Sequence, residues 1–280
     1  MTNATVENEG AEIHIDYEGE GPLLLLIPGA GGSGQRYAAV STILKDEYTV
    51  VCYDRRCNSR STGDRSLDGD IAQQARDAVA VIKAMNAKQA LVFGSSSRAN
   101  IALKMAEDTP QYIAGLVAHE PPVLWVLPDA QEWFIFGDEA ETIFRARGFG
   151  PALGKFASAL VGVTPPSRPP TGSDAAKAVE VSWNFFFAHE IHNFSRYAPD
   201  LQRIKHTKIP MFAVSGRDSK DAYYARTAKI VSDVVGCVHR VISGHHLSYQ
   251  ADAATFASEL RLMLRELKAV GPPNLLFAIP

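Results

Sequence analysis

The sequence predicts an α/β fold: a mostly parallel, doubly wound sheet with helices on both faces and a helical cap inserted after the strand over 113–119. Three observations carry this. Short apolar runs alternate with amphipathic stretches along most of the chain. One run, Leu23-Leu-Leu-Leu-Ile27, is apolar throughout, as a strand covered on both faces must be. Between 123 and 208 the strand rhythm stops and aromatic residues gather.

In order, Ala11 to Tyr17 alternates apolar and polar residues and reads as a half-exposed strand. The run 23–27 leads straight into Pro28-Gly-Ala-Gly-Gly-Ser-Gly34, whose glycines let backbone N–H groups face a site. Gln35 to Lys45 is a modest helix, and Tyr48 to Tyr53 a strand ending in Asp54-Arg-Arg-Cys-Asn-Ser-Arg-Ser61. Asp68 to Asn86 is an amphipathic helix with Ile71, Ala75, Val79, Ile82 and Met85 on one face. Leu91 to Phe93 is a buried strand, broken at Gly94 and followed at once by a helix to about Asp108. Ile113 to His119 is a strand closed by Glu120-Pro-Pro122. The domain division is therefore a core of 1–122 and 209–280 with a cap of 123–208, which includes a proline-rich loop, Thr164 to Pro170. Strands at Ile209 to Ser215 and Val238 to Ile242, a helix over Ala222 to Val235 and a closing helix from about Ala251 to Leu267 complete the core.

Composition sets bounds on function. The 280 residues suffice for one large domain. A formal charge of −3, without a block of Lys and Arg, points away from nucleic acid and anionic membranes. The N-terminal residues lack a basic start and an apolar core, so no signal peptide is expected, and no run is long enough to span a bilayer. Three cysteines at no metal-like spacing fit a reducing, cytoplasmic setting and no metal site. The glycine loop lacks the lysine of a phosphate loop, and no acidic ribose partner follows it, so no cofactor is expected. A homodimer is left open.

Three serines, Ser95-Ser-Ser97, sit between the strand at 91–93 and its helix. A hydroxyl at such an apex is the context of a nucleophile elbow, held in backbone strain on the order of 1–3 kcal/mol. Taken alone, the run is equally a solvated turn. Strand ends further on supply an acid and an imidazole, giving the order Ser96, Asp218, His245. Asp218 is also read as a helix cap, Glu120 is an alternative acid, His246 an alternative base, and Ser97 an alternative apex.

On these residues the chain resembles the α/β-hydrolase superfamily over nearly its whole length, specifically its serine esterase and lactonase-like members. Gly94 and Ser96 match the start of G-x-S-x-G. Pro28-Gly29-Ala30-Gly31 resembles the His-Gly-x-Gly oxyanion loop, Asp54 to Ser61 the D-x-R-G-x-G-x-S turn, Gly216-Arg-Asp218 the acid turn and Gly244-His245 the histidine turn. Val117-Ala-His-Glu-Pro-Pro122 is similar to the end of the family's sixth strand. The resemblance implies attack by Ser96 with His245 as base and Asp218 as its orienting acid. The Ala30 and Ser97 N–H groups would then stabilise the oxyanion, at roughly 3–4 kcal/mol per donor. Substrate contacts are expected from Gly29, Arg98, Trp125, Trp133, Phe186 and His246, with most other cap rings simply core.

Two glycine positions of the family carry side chains here, Cys57 and Arg98. Cys57 reads as a filler in a turn or as a reactive thiol beside Arg55 and Arg56. Arg98 points to solvent, binds a carboxylate of substrate or protein, or reshapes the elbow. On the last reading Arg98→Gly is expected to raise esterase activity. The expectation for function is a serine hydrolase of a small apolar ester or lactone acting through an acyl-enzyme. Two alternatives stand: a C–C bond hydrolase or non-hydrolytic enzyme of secondary metabolism using the same site, and a catalytically weak binding protein on the same fold.

Overall fold

Strand order decides where the site lies. In the computed structural model, which describes residues 1–66, 69–163 and 170–270, eight strands form one sheet in the order β1-β2-β4-β3-β5-β6-β7-β8. They are β1 (Thr2–Asn8), β2 (Ala11–Glu18), β3 (Leu23–Ile27), β4 (Thr49–Tyr53), β5 (Ala90–Ser95), β6 (Ile113–His119), β7 (Met211–Gly216) and β8 (Val238–Ile242). The contacts of β1 with β2 and of β2 with β4 are antiparallel, and every other pairing is parallel. Sequence reasoning missed β1. Its residues are polar because it is an edge strand, and only Val6 of it is buried.

The helices are α1 (Ala38–Leu44), α2 (Ile71–Ala84), α3 (Ser97–Asp108), α4 (Ala130–Arg147), α5 (Phe149–Ala157), α6 (Asp174–Phe185), α7 (Ile191–Arg196), α8 (Leu201–Thr207), α9 (Tyr223–Val235), α10 (Ser248–Ala251) and α11 (Ala253–Val270). Alternation within the apolar strands builds two cores. Leu23, Leu25 and Ile27 join α2 and α3 on one face, while Leu24 and Leu26 join α1 and α11 on the other. The helix expected from Asp68 begins at Ile71, because the Asp70 carboxylate caps it by accepting from Ala72 N–H and Gln73 N–H. Leu67 and Asp68 lie outside the described residues, as do 164–169 of the proline-rich loop.

Among the described residues, the regular elements between β6 and β7 are all helical. Some of the rings in this segment form a separate cluster, in which Trp183, Phe186 and Phe187 pack with Ala140 and Ala152. The last helix of the segment, α8, packs instead against α3 and α9, beside the sheet. A single π-helical turn, Phe186–Glu190, joins α6 to α7. Such a turn inserts an extra residue and is common at functional sites. Here it leaves Phe186, Phe187, Glu190 and Ile191 all buried.

Candidate active site

Ser96 stands between β5 and α3 with φ 62° and ψ −145°, a conformation that side chains rarely adopt. Its N–H donates to the His119 carbonyl of the neighbouring strand at 2.9 Å. Gly94 makes the turn possible, since a Cβ there would lie 2.6 Å from the Arg98 carbonyl oxygen and 3.0 Å from Ala99 N. The strand–turn–helix context read from the sequence is present, with Ser96 in the wall of a cavity.

The acid and the imidazole that the structure brings together are Glu120 and His246. His246 Nδ1 lies 2.6 Å from Glu120 Oε2. Gly216 N–H donates to Glu120 Oε1 at 2.8 Å, and Glu120 N–H donates to the Val214 carbonyl at 2.8 Å. Burial pushes the Glu120 carboxyl up, but His119, His246 and Gly216 N–H together outweigh it and hold it near 2. Burial pulls His119 itself down to about 4, so that ring is neutral near pH 7. A carboxylate on Nδ1 fixes the tautomer and leaves Nε2 as the basic nitrogen.

The expected pair, Asp218 and His245, is not brought together. Asp218 lies exposed on a short 3₁₀ turn, Arg217–Ser219, and its carboxylate meets no imidazole among the described residues. His245 is half-buried, and its Nδ1 accepts Leu247 N–H at 3.1 Å. The physical reason is depth. Glu120 ends a central strand and is fully buried, whereas Asp218 follows the next strand on an exposed turn. His246, expected as a substrate contact, is therefore the imidazole that Glu120 holds.

The turn after β4 fixes the glycine loop that follows β3. Asp54 is buried and its Oδ1 accepts Gly34 N–H at 2.8 Å, while Arg55 N–H donates to the Gly32 carbonyl at 2.9 Å. Gly29 closes the loop by accepting Gly32 N–H at 3.0 Å, and it does not line the cavity. The Ala30 and Ser97 N–H groups donate to no acceptor among the described residues. Cys57, in the same turn, has φ 63° and Ser59 has φ 49°. Both are left-handed positions that explain why the related pattern carries glycines there. Cys57 is buried, and burial raises its thiol, so the reactive reading is not favoured.

Arg98 does not reach the cavity. It is fully buried, and its Nη2 donates to Glu190 Oε2 at 3.2 Å while its Nη1 donates to Ser97 Oγ at 2.6 Å. The guanidinium carbon lies 4.3 Å from the centre of the Phe194 ring. Glu190 also receives Arg55 through both its oxygens, and Arg55 and Gln74 are themselves hydrogen-bonded. Of the three readings of Arg98, the carboxylate of the protein is the one observed. Glu190 and Arg55 were not singled out in the sequence. The available signal was Arg98 itself, a charge at a closed position in need of a partner.

The free space in the cavity is small, about 50 Å³. Ser96, Ser97, Ser195 and Tyr223 bring hydroxyls to its lining, and Trp133, Phe136, Phe186 and Phe194 supply much of its apolar wall. Trp133 and Phe186 thus line this cavity. Trp125 does not: it is 54 % exposed, donates from Nε1 to the Arg196 carbonyl and leans on Phe134.

A family model of the alpha/beta hydrolase fold matches residues 22–208. The chain belongs to this family. This α/β-hydrolase is 28 % identical over 276 residues to the uncharacterized hydrolase YraK of Bacillus subtilis (strain 168), covering 96 % of this chain and 98 % of that protein. Its fold is that of a thermophilic esterase from Thermogutta terrifontis, at TM-score 0.76 and 15 % identity, with 96 % of this chain and all of the other covered. It is equally that of the enol-lactonase from Burkholderia xenovorans LB400, at TM-score 0.71 and 16 % identity over 94 % of this chain and 100 % of the other. Among the described residues no helix is long and apolar enough to cross a membrane, and no cluster of metal-ligating side chains occurs.

Proposed function

We propose that this α/β-hydrolase cleaves a small apolar ester or lactone through an acyl-enzyme on Ser96, with His246 as base and Glu120 as its orienting acid. One observation carries the reading: the buried Glu120–His246 hydrogen bond of 2.6 Å, beside a serine held at φ 62° on the adjoining strand. Ser96 Oγ attacks the carbonyl carbon as His246 Nε2 takes its proton. The imidazolium so formed is balanced by Glu120. The carbonyl oxygen receives the displaced electron pair and accepts hydrogen bonds from the Ala30 and Ser97 N–H groups. His246 returns the proton to the leaving oxygen, then activates water to release the acid and free Ser96. The ring-lined cavity supports an apolar acyl or ring substrate over a sugar or peptide.

Fluorophosphonate labelling tests this directly. Wild-type protein should be labelled, and Ser96→Ala should not. Folded wild-type protein that resists the probe and hydrolyses no aryl ester would overturn the reading and favour a binding protein on this fold.

A further inference from the structure

The cluster beneath the elbow is unbalanced in charge. Arg55 and Arg98, both fully buried, share the single carboxylate of Glu190, and Gln74 adds only a neutral amide. Two guanidinium groups against one carboxylate leave a surplus positive charge in a dry place, an arrangement that proteins ordinarily avoid. Burial first, and Arg55 second, pull Arg98 down to about 9, which still leaves it protonated at neutral pH.

The surplus has an outlet toward the cavity. Arg98 Nη1 donates to Ser97 Oγ at 2.6 Å. An oxygen engaged in this way must direct its own hydrogen elsewhere. Among the described residues no protein acceptor takes the Ser97 hydroxyl hydrogen, and Ser97 lies in the cavity wall next to Ser96. The other side of Arg98 is closed by the Phe194 ring.

We propose that the Ser97 hydroxyl, polarised by Arg98, is a third donor to the oxyanion, beside the N–H groups of Ala30 and Ser97. The inference rests on the reading of Ser96 as nucleophile. As Ser96 Oγ bonds to the carbonyl carbon, the carbonyl π pair moves to its oxygen, and the Ser97 O–H shares its hydrogen with that oxygen without transferring it. The negative charge that develops is the counter-charge the cluster lacks. Arg98 is thus a positioning residue that acts through Ser97. The activity gain expected for Arg98→Gly is reversed, because that change removes the source of polarisation.

The test compares Ser97→Ala, Arg98→Met and the double variant. A short-chain p-nitrophenyl ester reports kcat and KM, and phenylboronic acid, whose serine adduct is a tetrahedral anion, reports Ki. Ser97→Ala removes one hydroxyl, and Arg98→Met leaves Arg55 and Glu190 as a balanced pair, so both should fold. Each should lower kcat and raise the boronate Ki by about tenfold or more, with KM nearly unchanged. The double variant should lose no more than the worse single one, and Ser97→Thr should recover part of the loss. Additive losses, an effect on KM alone, or an unchanged kcat in Ser97→Ala would overturn the inference and leave the proposed function standing. Absence of any boronate adduct on wild-type Ser96 would overturn both.

Discussion

Ser96 and Glu120 end adjacent strands in the same unusual way: each has a left-handed backbone, at φ 62° and φ 49°, and the N–H of the first is hydrogen-bonded to the residue before the second. Two neighbouring strands therefore leave the sheet through the same kind of strained turn. Strain of this kind costs on the order of 1–3 kcal/mol per residue and persists only where surrounding contacts enforce it.

Relieving it should stabilise the protein. Glycine adopts the Ser96 conformation freely, so Ser96→Gly is expected to gain about 1 kcal/mol, a rise of roughly 2–4 °C in Tm, while losing catalysis. Differential scanning calorimetry checks it; an unchanged or lower Tm would mean that the elbow stores no strain.

Identity of the acid and base separates cleanly by substitution. Glu120→Gln and His246→Gln should each lower kcat/KM by about 10⁴-fold. Asp218→Asn and His245→Gln should leave it near wild type, since neither side chain meets the other. The reverse ranking in an aryl-ester assay would restore the order read from the sequence.

Stability should fall in acid in two stages. His119 is held near 4 against an ordinary 6.5, so the unfolded chain takes up this proton first and stability drops as pH falls from 6.5 to 4. Glu120 is held near 2 against 4.5, so its contribution is present above 4.5 and is lost as pH falls toward 2. Urea unfolding of His119→Gln at pH 7, 5.5 and 4 should therefore show a flatter slope than wild type, by about 3 kcal/mol across the interval. Parallel curves for the two proteins would contradict this.

The arginine cluster makes an asymmetric prediction. Glu190→Ala leaves two buried guanidinium groups unpaired and should cost about 3–5 kcal/mol. Arg98→Met leaves the Arg55–Glu190 pair intact and should cost much less. Chemical denaturation midpoints decide it, and equal losses would show that Arg98 and Arg55 are not alternatives for one partner.

Cavity walls predict selectivity. Trp133→Ala should reduce kcat/KM for a long-chain or aryl ester by about 10–200-fold relative to an acetate. Trp125→Ala, on the outer surface, should leave the ratio alone.

Much of the architecture was legible because it follows from burial on both faces: a run such as Leu23 to Ile27 has no other stable fate. Ser96 was legible for a related reason, since Gly94 marks a position where only hydrogen fits. The Glu120–His246 pairing was not, because whether Glu120 or Asp218 meets a ring, and whether that ring is His246 or His245, depends on how deep each strand end lies, and one residue along a loop reverses which ring faces inward. Glu190 was hidden by its π-helical turn, which departs from the 3.6-residue period used to find helical faces. Trp125 was misjudged because an aromatic residue in a ring-rich segment covers a neighbour, here Phe134, as readily as it faces a cavity.

The contact between Glu190 and Arg98 joins positions 92 residues apart, one in the helical excursion and the other on the elbow helix. That excursion is consequently no exchangeable module. Grafted onto a relative with glycine at the equivalent of 98, it would arrive with a carboxylate that has lost this arginine. Replaced here by another helical segment, it would strand both arginines. Recombination of this chain with its relatives has to carry 55, 98 and 190 as one inherited unit.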